Sequence, residues 1–413
     1  MNKKVLLLAL ALVAALVLGA CAPATPAATE AMTEEPEATE APVETEAPAE
    51  PVTITFWHGY TGTEAEINQQ VVDAFMAANP DVTVEVLAVP FEEFQNKYQT
   101  EAASGGGPTV LTMPQDRMAA YQAADLLAVV PDDTALLSAL LPAAVEAGRI
   151  DGSLYGVAIN NKVLALYYNK SKVSEPPATF DELLASAKDN GLALTADWFH
   201  NYMWLGAFDG DLFDAEFKAV PDSAEGVSAL EYFKSVCESE GVTCDGDDGS
   251  MDALFRDGTV AYRIQGPWIA GDAVKDLGAE NVGVAKIPTI TGAGDPLPWN
   301  QSDLVGINAN ATEEQVAAAL RFIEFYTNAE SQALFLNQAS WIPANSSVDP
   351  SGNPVVAGFL AQVPSSRPFP TAAELGATWG PMGDAVTKIL EGASSAQDAL
   401  TEAAGLINTA NKK

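Results

Sequence analysis

Residues 52–57 read VTITFW, and this alternation of apolar and polar side chains predicts a β-strand. A short loop at 58–62 follows it, and then apolar residues recur at helical spacing. Thr63 and Glu66 stand three residues apart before that run, which predicts a capping box at the start of a helix. The same spacing at Thr179 and Glu182 predicts a capping box for a later helix. Pro80 ends the helix, because proline disfavours helical backbone in the residue before it. The segment therefore opens with a strand, a loop and a helix.

The same alternation of strand and helix continues along the chain. Valines at every second position of 82–86 predict a second strand. A second helix is predicted at 91–103, and a third, buried strand at 110–113. An order of β-α-β-α-β implies a parallel sheet covered by helices, so the fold class is α/β. The chain has 413 residues, more than one hydrophobic core usually serves, and we expect two lobes.

The charge of the chain excludes one class of partner. The formal net charge is −36, with only 20 Lys and Arg residues against 56 Asp and Glu. Nucleic-acid binding needs a basic face to meet the phosphates, so no nucleic acid is expected as a partner.

The N-terminus has the features of an export signal. Lys3 and Lys4 precede an apolar run at 5–18, and 18–21 reads LGAC. A Cys at that place resembles the lipobox of bacterial lipoproteins, which makes 1–20 a lipoprotein signal peptide and Cys21 the lipidation site. The alternatives are an ordinary signal peptide and a single membrane helix, for which the run is short. We expect an exported protein, attached by lipid alone to the outer face of the cell membrane or on its periplasmic side.

Residues 21–51 form the next segment, and its composition cannot support a hydrophobic core. It is rich in Ala, Pro, Thr and Glu and contains no Lys or Arg, so a disordered acidic linker is predicted. Two further cysteines, Cys237 and Cys244, lie seven residues apart. In an exported chain they are a possible disulfide, and two free thiols are the alternative.

Motifs for catalysis are missing from the sequence. The two histidines, His58 and His200, are far apart, and there is no nucleophile elbow, phosphate-binding loop or zinc-binding His-Glu-x-x-His. An acidic run at 245–249 lacks the Glu that a calcium loop needs at its twelfth position. We expect no enzyme activity, cofactor or metal. A glycoside hydrolase that uses two carboxylates stays open, because their spacing is set in space.

Tryptophans are placed at the ends of several predicted elements, where open α/β sheets bind ligands. A flat, partly apolar ring suits the C–H face of a sugar, although any single Trp is as readily a core residue. The seven are Trp57, Trp198, Trp204, Trp268, Trp299, Trp341 and Trp379.

Four segments carry a family resemblance. They are AASGGGP at 102–108 leading to QDR at 115–117, LYG at 154–156 followed by LALYYNK at 164–170, PPATFDEL at 176–183, and FRDGTVA at 255–261 leading to IQGPW at 264–268. In order and spacing they resemble the extracellular solute-binding proteins of carbohydrate ABC importers (family 1), typified by maltose-binding protein. The resemblance implies a monomer with the two-lobe periplasmic-binding-protein fold of type II, in which three interlobe crossovers join the lobes.

The resemblance also implies where the lobes divide. The crossovers fall near 160–163, 300–305 and 343–346. The N-terminal lobe is then 52–161 and 305–343, and the C-terminal lobe is 162–304 and 344–413.

Several ligand-binding residues follow from the resemblance by position. Asp116 and Arg117 match an Asp-Arg pair that binds sugar hydroxyls, and a carboxylate acceptor beside a guanidinium donor suits that role. Trp268 and Trp379 match aromatic rings that stack on sugars, and His200 falls where the family lines the second lobe.

The sequence departs from maltose-binding protein at other site positions. Met113 replaces a stacking Trp, and Lys162 replaces a hydroxyl-binding Glu. The first loop is shorter, and other side chains are expected to supply the missing contacts. These candidates are Trp57, His58 and Tyr60 near that loop, and Trp299 and Trp341 near two crossovers.

The function implied is that of a substrate-binding lipoprotein. It captures a carbohydrate, of the maltose or maltodextrin kind, by lobe closure and delivers it to the permease subunits of an ABC importer. A different sugar or a polyol is the first alternative, and an exported glycoside hydrolase is the second.

Overall fold

The structure is a computed structural model that describes residues 51–132 and 135–413. The predicted signal peptide, Cys21 and the predicted linker up to residue 50 lie outside this part of the chain. Among the described residues, no helix has both the length and the hydrophobicity of a membrane span.

The chain alternates short strands and helices throughout. Its first elements are β1 (Val52–His58), α1 (Gly62–Ala78), β2 (Val82–Ala88), α2 (Phe91–Ala103), β3 (Val110–Pro114), α3 (Gln115–Ala123), α4 (Ala135–Ser138), α5 (Pro142–Ala147), β4 (Arg149–Ile150), β5 (Ser153–Leu154) and β6 (Val157–Ala158). The middle elements are β7 (Asn160–Val163), β8 (Ala165–Asn169), α6 (Phe180–Asn190), β9 (Leu192–Thr195), α7 (Trp198–Asn201), α8 (Met203–Ala207), α9 (Ala224–Cys237), β10 (Val242–Asp245), α10 (Asp248–Arg256), β11 (Tyr262–Gln265), α11 (Ala270–Leu277) and β12 (Val282–Ala285). The last elements are β13 (Trp299–Gln301), β14 (Asp303–Ile307), α12 (Glu313–Thr327), α13 (Ala329–Ala339), β15 (Ile342–Pro343), α14 (Pro354–Gln362), β16 (Arg367–Pro368), α15 (Trp379–Leu390) and α16 (Ala396–Ala410).

The first lobe is built on a five-stranded sheet in the order β2-β1-β3-β14-β6. Strand β1 is parallel to both β2 and β3, which confirms the parallel β-α-β-α-β unit predicted from the sequence. Strand β14 returns from much later in the chain and is antiparallel to β3. Phe56 on β1 packs edge-on against Phe322 of α12, with ring centroids 5.0 Å apart, so the late helix completes the core of this lobe.

The second lobe has its own five-stranded sheet, in the order β10-β9-β11-β8-β12. Its core is separate and contains Phe180 and Trp204, whose ring centroids are 5.1 Å apart. At its edge Cys237 and Cys244 form a disulfide, with their Cα atoms 5.6 Å apart, that ties the end of α9 to β10.

A four-stranded sheet connects the two lobes, in the order β15-β7-β13-β16, and we call it the connecting sheet. Strand β7 lies in the chain between β6 of the first lobe and β8 of the second, and β13 leads directly into β14. Strand β15 lies between α13 and α14, which packs on β12. The chain therefore crosses three times between two α/β lobes, as predicted. The residue boundaries assigned to the lobes stay a prediction.

The two predicted capping boxes have different outcomes. Thr179 and Glu182 form one at the start of α6, as predicted. The box predicted at Thr63 is wrong, because α1 already begins at Gly62 and its N-cap residue makes no side-chain cap hydrogen bond. The backbone N–H and the hydroxyl of Thr63 instead donate to Asp272 of the other lobe, at 3.1 and 2.7 Å.

Candidate functional site

Charged and aromatic side chains from both lobes and the connecting sheet come together where the lobes meet. We call this group the interlobe cluster. Its members are Asp116, Arg117, Lys162, Trp268, Asp303 and Trp379. Four of them were predicted from the family resemblance as ligand-binding residues, and Lys162 was noted as a departure.

Lys162 and Asp303 form the ionic centre of the cluster. Lys162 lies on β7 and Asp303 begins β14, and the Lys162 Nζ is 2.5 Å from the Asp303 Oδ1. Their side chains are only 12% and 10% exposed, so this is a nearly buried ion pair. Asn160 donates to the other Asp303 oxygen at 3.0 Å. The carboxylate is therefore held from two sides.

Asp116 and Arg117 lie in the first turn of α3, which follows strand β3 directly. The Arg117 Nε is 3.0 Å from the Asp116 Oδ2, and the Arg117 guanidinium also donates to Gln95 of α2. Burial raises the pKa of Asp116, although Arg117 and Lys162 act in the opposite direction. The Arg117 side chain is about one quarter exposed, and its guanidinium has five N–H donors, more than these two contacts use.

Trp268 follows β11 in the second lobe, and its ring lies directly over Gly266. A Cβ atom at position 266 would overlap that ring, so glycine is required for the ring to adopt this position. The Lys162 Nζ is 5.4 Å from the centre of the ring, close enough for a cation–π contact. Phe199 and His200 flank the same ring at 6.1 and 6.3 Å between centroids.

Trp379 of the second lobe lies close to Arg117 of the first. It begins α15, and its ring centre is 6.0 Å from the Arg117 Cζ. Both residues are partly exposed, and they come from different lobes. A flat ring therefore faces a hydrogen-bond donor across the junction.

Glu64 and Trp341 extend the cluster toward the first loop. The Trp341 indole N–H donates to the Glu64 carboxyl, and the Trp341 ring is 5.5 Å from that of Tyr60. Tyr60 stacks on His58, which accepts a hydrogen bond from the Tyr60 backbone N–H at 3.1 Å. Burial lowers the pKa of His58 to about 4, so its imidazole is neutral at pH 7.

Glu64 should make the stability of the protein depend on pH. Burial is the main reason that its pKa rises from 4.5 to about 8. The hydrogen bond from Trp341 and the charge of Lys162 oppose the shift, and Asp303 and Asp272 add to it. The folded state then binds more protons than the unfolded state between those values, so stability should fall as pH rises through this window. Glu64→Gln should flatten that fall, measured by urea unfolding at about pH 5 and about pH 8. The exposed Glu66→Gln on the same helix should keep the wild-type profile, and equal profiles for all three proteins would contradict the assignment.

His200 lies in a buried polar network beneath Trp268. Its Nδ1 is 2.9 Å from Asp197, and its Nε2 is 2.9 Å from the Gln265 side chain. Burial acts to lower the pKa of His200, but Asp197 and Asp248 outweigh it and the pKa is raised. His200 therefore contacts the candidate site through the edge-on packing of its ring with Trp268.

Other sequence-predicted site residues lie in the lobe cores. Trp57 packs against Phe94 and under Lys97. Met113 is 1% exposed inside the first lobe, and Trp299 is 2% exposed inside the second. Trp57 and Trp299 were candidates because of their positions near a loop and a crossover, and Met113 because of the family resemblance. The side-chain alternation of a strand does not tell which face meets the core.

Sequence reasoning missed Asp303, Glu64 and Gln301. Lys162 and Gln301 are paired across β7 and β13, which places their side chains on one face of the connecting sheet. The buried Gln301 side-chain oxygen accepts no hydrogen bond from any described residue. One signal was present, because Lys162 was predicted at a crossover between the lobes, and a lysine that is buried there needs a carboxylate partner. In the part of the chain that the structure describes, no three His, Cys, Asp or Glu residues are arranged to hold a metal.

Comparison with known proteins gives consistent relatives. The family model of bacterial extracellular solute-binding proteins matches residues 70–357. The maltotriose-binding protein of Pyrococcus abyssi (strain GE5 / Orsay) is 28% identical over 362 residues, which cover 82% of this chain and 77% of that protein. The maltooligosaccharide ABC transporter solute-binding lipoprotein of Streptococcus pneumoniae (strain ATCC BAA-255 / R6) is 26% identical over 343 residues, covering 77% of this chain and 80% of that protein.

The solved structures extend the comparison to the fold. The structure of the Thermus thermophilus maltotriose-binding protein bound with maltotriose has a TM-score of 0.79 and 28% identity, and the match covers 87% of this chain and 100% of that one. The two-lobe fold is therefore the periplasmic-binding-protein fold of the maltose-binding type. With a family match over more than half of its length, the chain belongs to the bacterial extracellular solute-binding proteins.

Proposed function

We propose that this chain binds an oligosaccharide of the maltodextrin kind at the interlobe cluster and presents it to the permease subunits of an ABC importer. The relatives named above support this ligand class. The observation that carries it is the 6.0 Å approach of Arg117 to the Trp379 ring from opposite lobes. A sugar needs both a flat apolar surface for its C–H face and donors or acceptors for its hydroxyls.

The cluster also supports capture by lobe closure. Asp116 and Arg117 are on the first lobe, Trp268 and Trp379 are on the second, and Lys162 is on the connecting sheet. A ligand that contacts all of them has most of its interactions only when the lobes are together. Its binding energy therefore shifts the population toward the closed form, which is the form that a permease would recognise.

The proposal includes no chemical change of the sugar, and the protein acts as a monomer that is held at the outer surface by a lipid on Cys21. The relative named as a lipoprotein supports the anchor. The site supports binding rather than bond cleavage. A hydrolase would need a free carboxylate, and the Asp303 carboxylate is paired with Lys162.

Titration calorimetry tests this proposal directly. Maltotriose should bind with one site per chain and should be recovered unchanged after incubation, because the Asp303 and Asp116 carboxylates are paired with Lys162 and Arg117. The matched comparison sugar is a galactooligosaccharide of equal length, which should bind more weakly. Tight binding of the galactooligosaccharide alone would show that maltodextrins are not the ligand class. Shortened maltodextrin products would support the glycoside hydrolase.

A further inference from the structure

The interlobe cluster has an aromatic neighbour on the first lobe that sequence reasoning missed. Phe91 begins α2, and the centre of its ring is 6.0 Å from the Arg117 Cζ. The Trp379 ring of the second lobe lies at the same distance from that atom. Arg117 therefore has one aromatic ring from each lobe within the range of a cation–π contact.

One face of α2 lies against Arg117. Phe91 and Gln95 are four positions apart, so they are neighbours on the same side of the helix. Gln95 accepts a hydrogen bond from the Arg117 guanidinium. The Phe91 ring also lies beside the first loop, since a Cβ atom at Gly59 would be 3.7 Å from the Phe91 Cδ2. The ring is therefore next to both the first loop and a member of the interlobe cluster.

The Phe91 side chain is unusually open for an aromatic residue. It is 53% exposed, the largest value for any aromatic residue in the part of the chain that the structure describes. It also lies outside the hydrophobic core of the first lobe. Covering such a ring is favourable, because its apolar surface is removed from water. A ligand that binds Arg117 is in the place to cover it.

The aromatic residues of the first lobe that were predicted as ligand contacts offer little open surface. Trp57 is 7% exposed and Trp341 is 2% exposed. Tyr60 is stacked on His58, with ring centroids 5.5 Å apart. Phe91 is therefore the open ring that this lobe places beside the interlobe cluster.

We propose that Phe91 is a ligand-binding residue, whose ring covers the C–H face of the sugar unit that the Arg117 guanidinium holds by its hydroxyls. The proposal rests on the proposed function and adds to it the aromatic surface that the first lobe contributes. Arg117 then supplies donors to the hydroxyls, and the rings of Phe91 and Trp379 supply apolar surface from the two lobes.

Titration calorimetry with maltotriose on the full chain tests this contact. Phe91→Ala should lower the affinity by about two- to tenfold, the range expected when one aromatic contact is lost. Phe91→Tyr keeps a flat ring and should bind like the wild-type protein. Melting without sugar should change little for either variant, because the ring lies outside the core.

The matched control is Phe217→Gly, which removes another exposed ring. Phe217 is 42% exposed, its ring lies beside that of Phe213, and its backbone φ of 56° suits glycine. This variant should bind maltotriose like the wild-type protein.

A second comparison separates a ligand contact from mere support of Arg117. Phe91→Ala is combined with Arg117→Ala and compared with Arg117→Ala alone, at raised protein and sugar concentrations. A ring that contacts the sugar should still contribute about two- to tenfold in affinity there. A ring that only positions the guanidinium should contribute nothing once the guanidinium is gone.

The outcomes separate this inference from the proposed function. A loss in Phe91→Ala that persists without Arg117, with the control unchanged, supports the contact. No loss, a loss that disappears without Arg117, or an equal loss in Phe217→Gly overturns the inference and leaves the proposed function intact. If the wild-type protein does not bind maltotriose, the proposed function is overturned, and the inference with it.

Discussion

Asp303→Ala should lower the free energy of unfolding by about 3–5 kcal/mol, because Lys162 would keep a buried charge without its partner. Both side chains are about nine-tenths buried, and Asn160 would lose an acceptor as well. Urea unfolding at neutral pH measures the effect.

The design needs a second variant and an exposed ion pair for comparison. Lys162→Met combined with Asp303→Leu removes both charges and should recover most of the stability. Asp81→Ala breaks the exposed contact to Arg321 on the same lobe and should change stability little, since exposed pairs contribute little. A small effect of Asp303→Ala would show that water reaches Lys162 freely.

Trp268→Ala should weaken maltotriose binding by about 1–3 kcal/mol, because it removes the aromatic surface of the second lobe. Melting without sugar should change little, since the ring is partly exposed. Trp268→Phe should recover part of the affinity. Gly266→Ala keeps Trp268 but adds a Cβ atom that forces its ring to move, so this variant should also bind more weakly. Calorimetry and melting on the same preparation measure both quantities.

Two matched controls distinguish a ligand contact from a core residue. Trp299→Ala removes the same side chain from a buried place and should instead lower stability by about 3–5 kcal/mol. Gly383→Ala adds a methyl group where no heavy atom lies within 4 Å, so binding should be unchanged. If Trp268→Ala behaves like Trp299→Ala and the folded remainder binds normally, Trp268 does not contact the sugar.

Local patterns predicted the elements that depend on local interactions. The helix predicted at 91–103 is α2 with those bounds, and the capping box at Thr179 is present. Each depends on residues a few positions apart, so the sequence contains the whole signal. The capping box at Thr63 was predicted by the same rule and is absent, because Thr63 donates to Asp272, which is 209 residues away in the chain. No local pattern contains a partner at that distance.

The candidate site could be predicted only in part for the same reason. Asp116 and Arg117 lie next to each other in the chain, so a motif could identify them. Asp303 belongs to the interlobe cluster because it forms an ion pair with Lys162. The two residues are 141 positions apart in the chain, and only the fold brings them together. Trp57 and Trp299 are buried in the lobe cores, and an aromatic residue at the end of a strand fits a core as well as a ligand site.

The hydrogen bonds from Thr63 to Asp272 join α1 of the first lobe to α11 of the second. We expect a lobe rotation that separates these two helices to break them. Gly62 lets the carboxylate approach, because a Cβ there would collide with it. Such a contact raises the resting occupancy of the closed arrangement before any sugar arrives. Apparent affinity scales with that occupancy. Substitutions at Gly62, Thr63 or Asp272 should therefore change the apparent affinity for sugar without altering any group of the interlobe cluster.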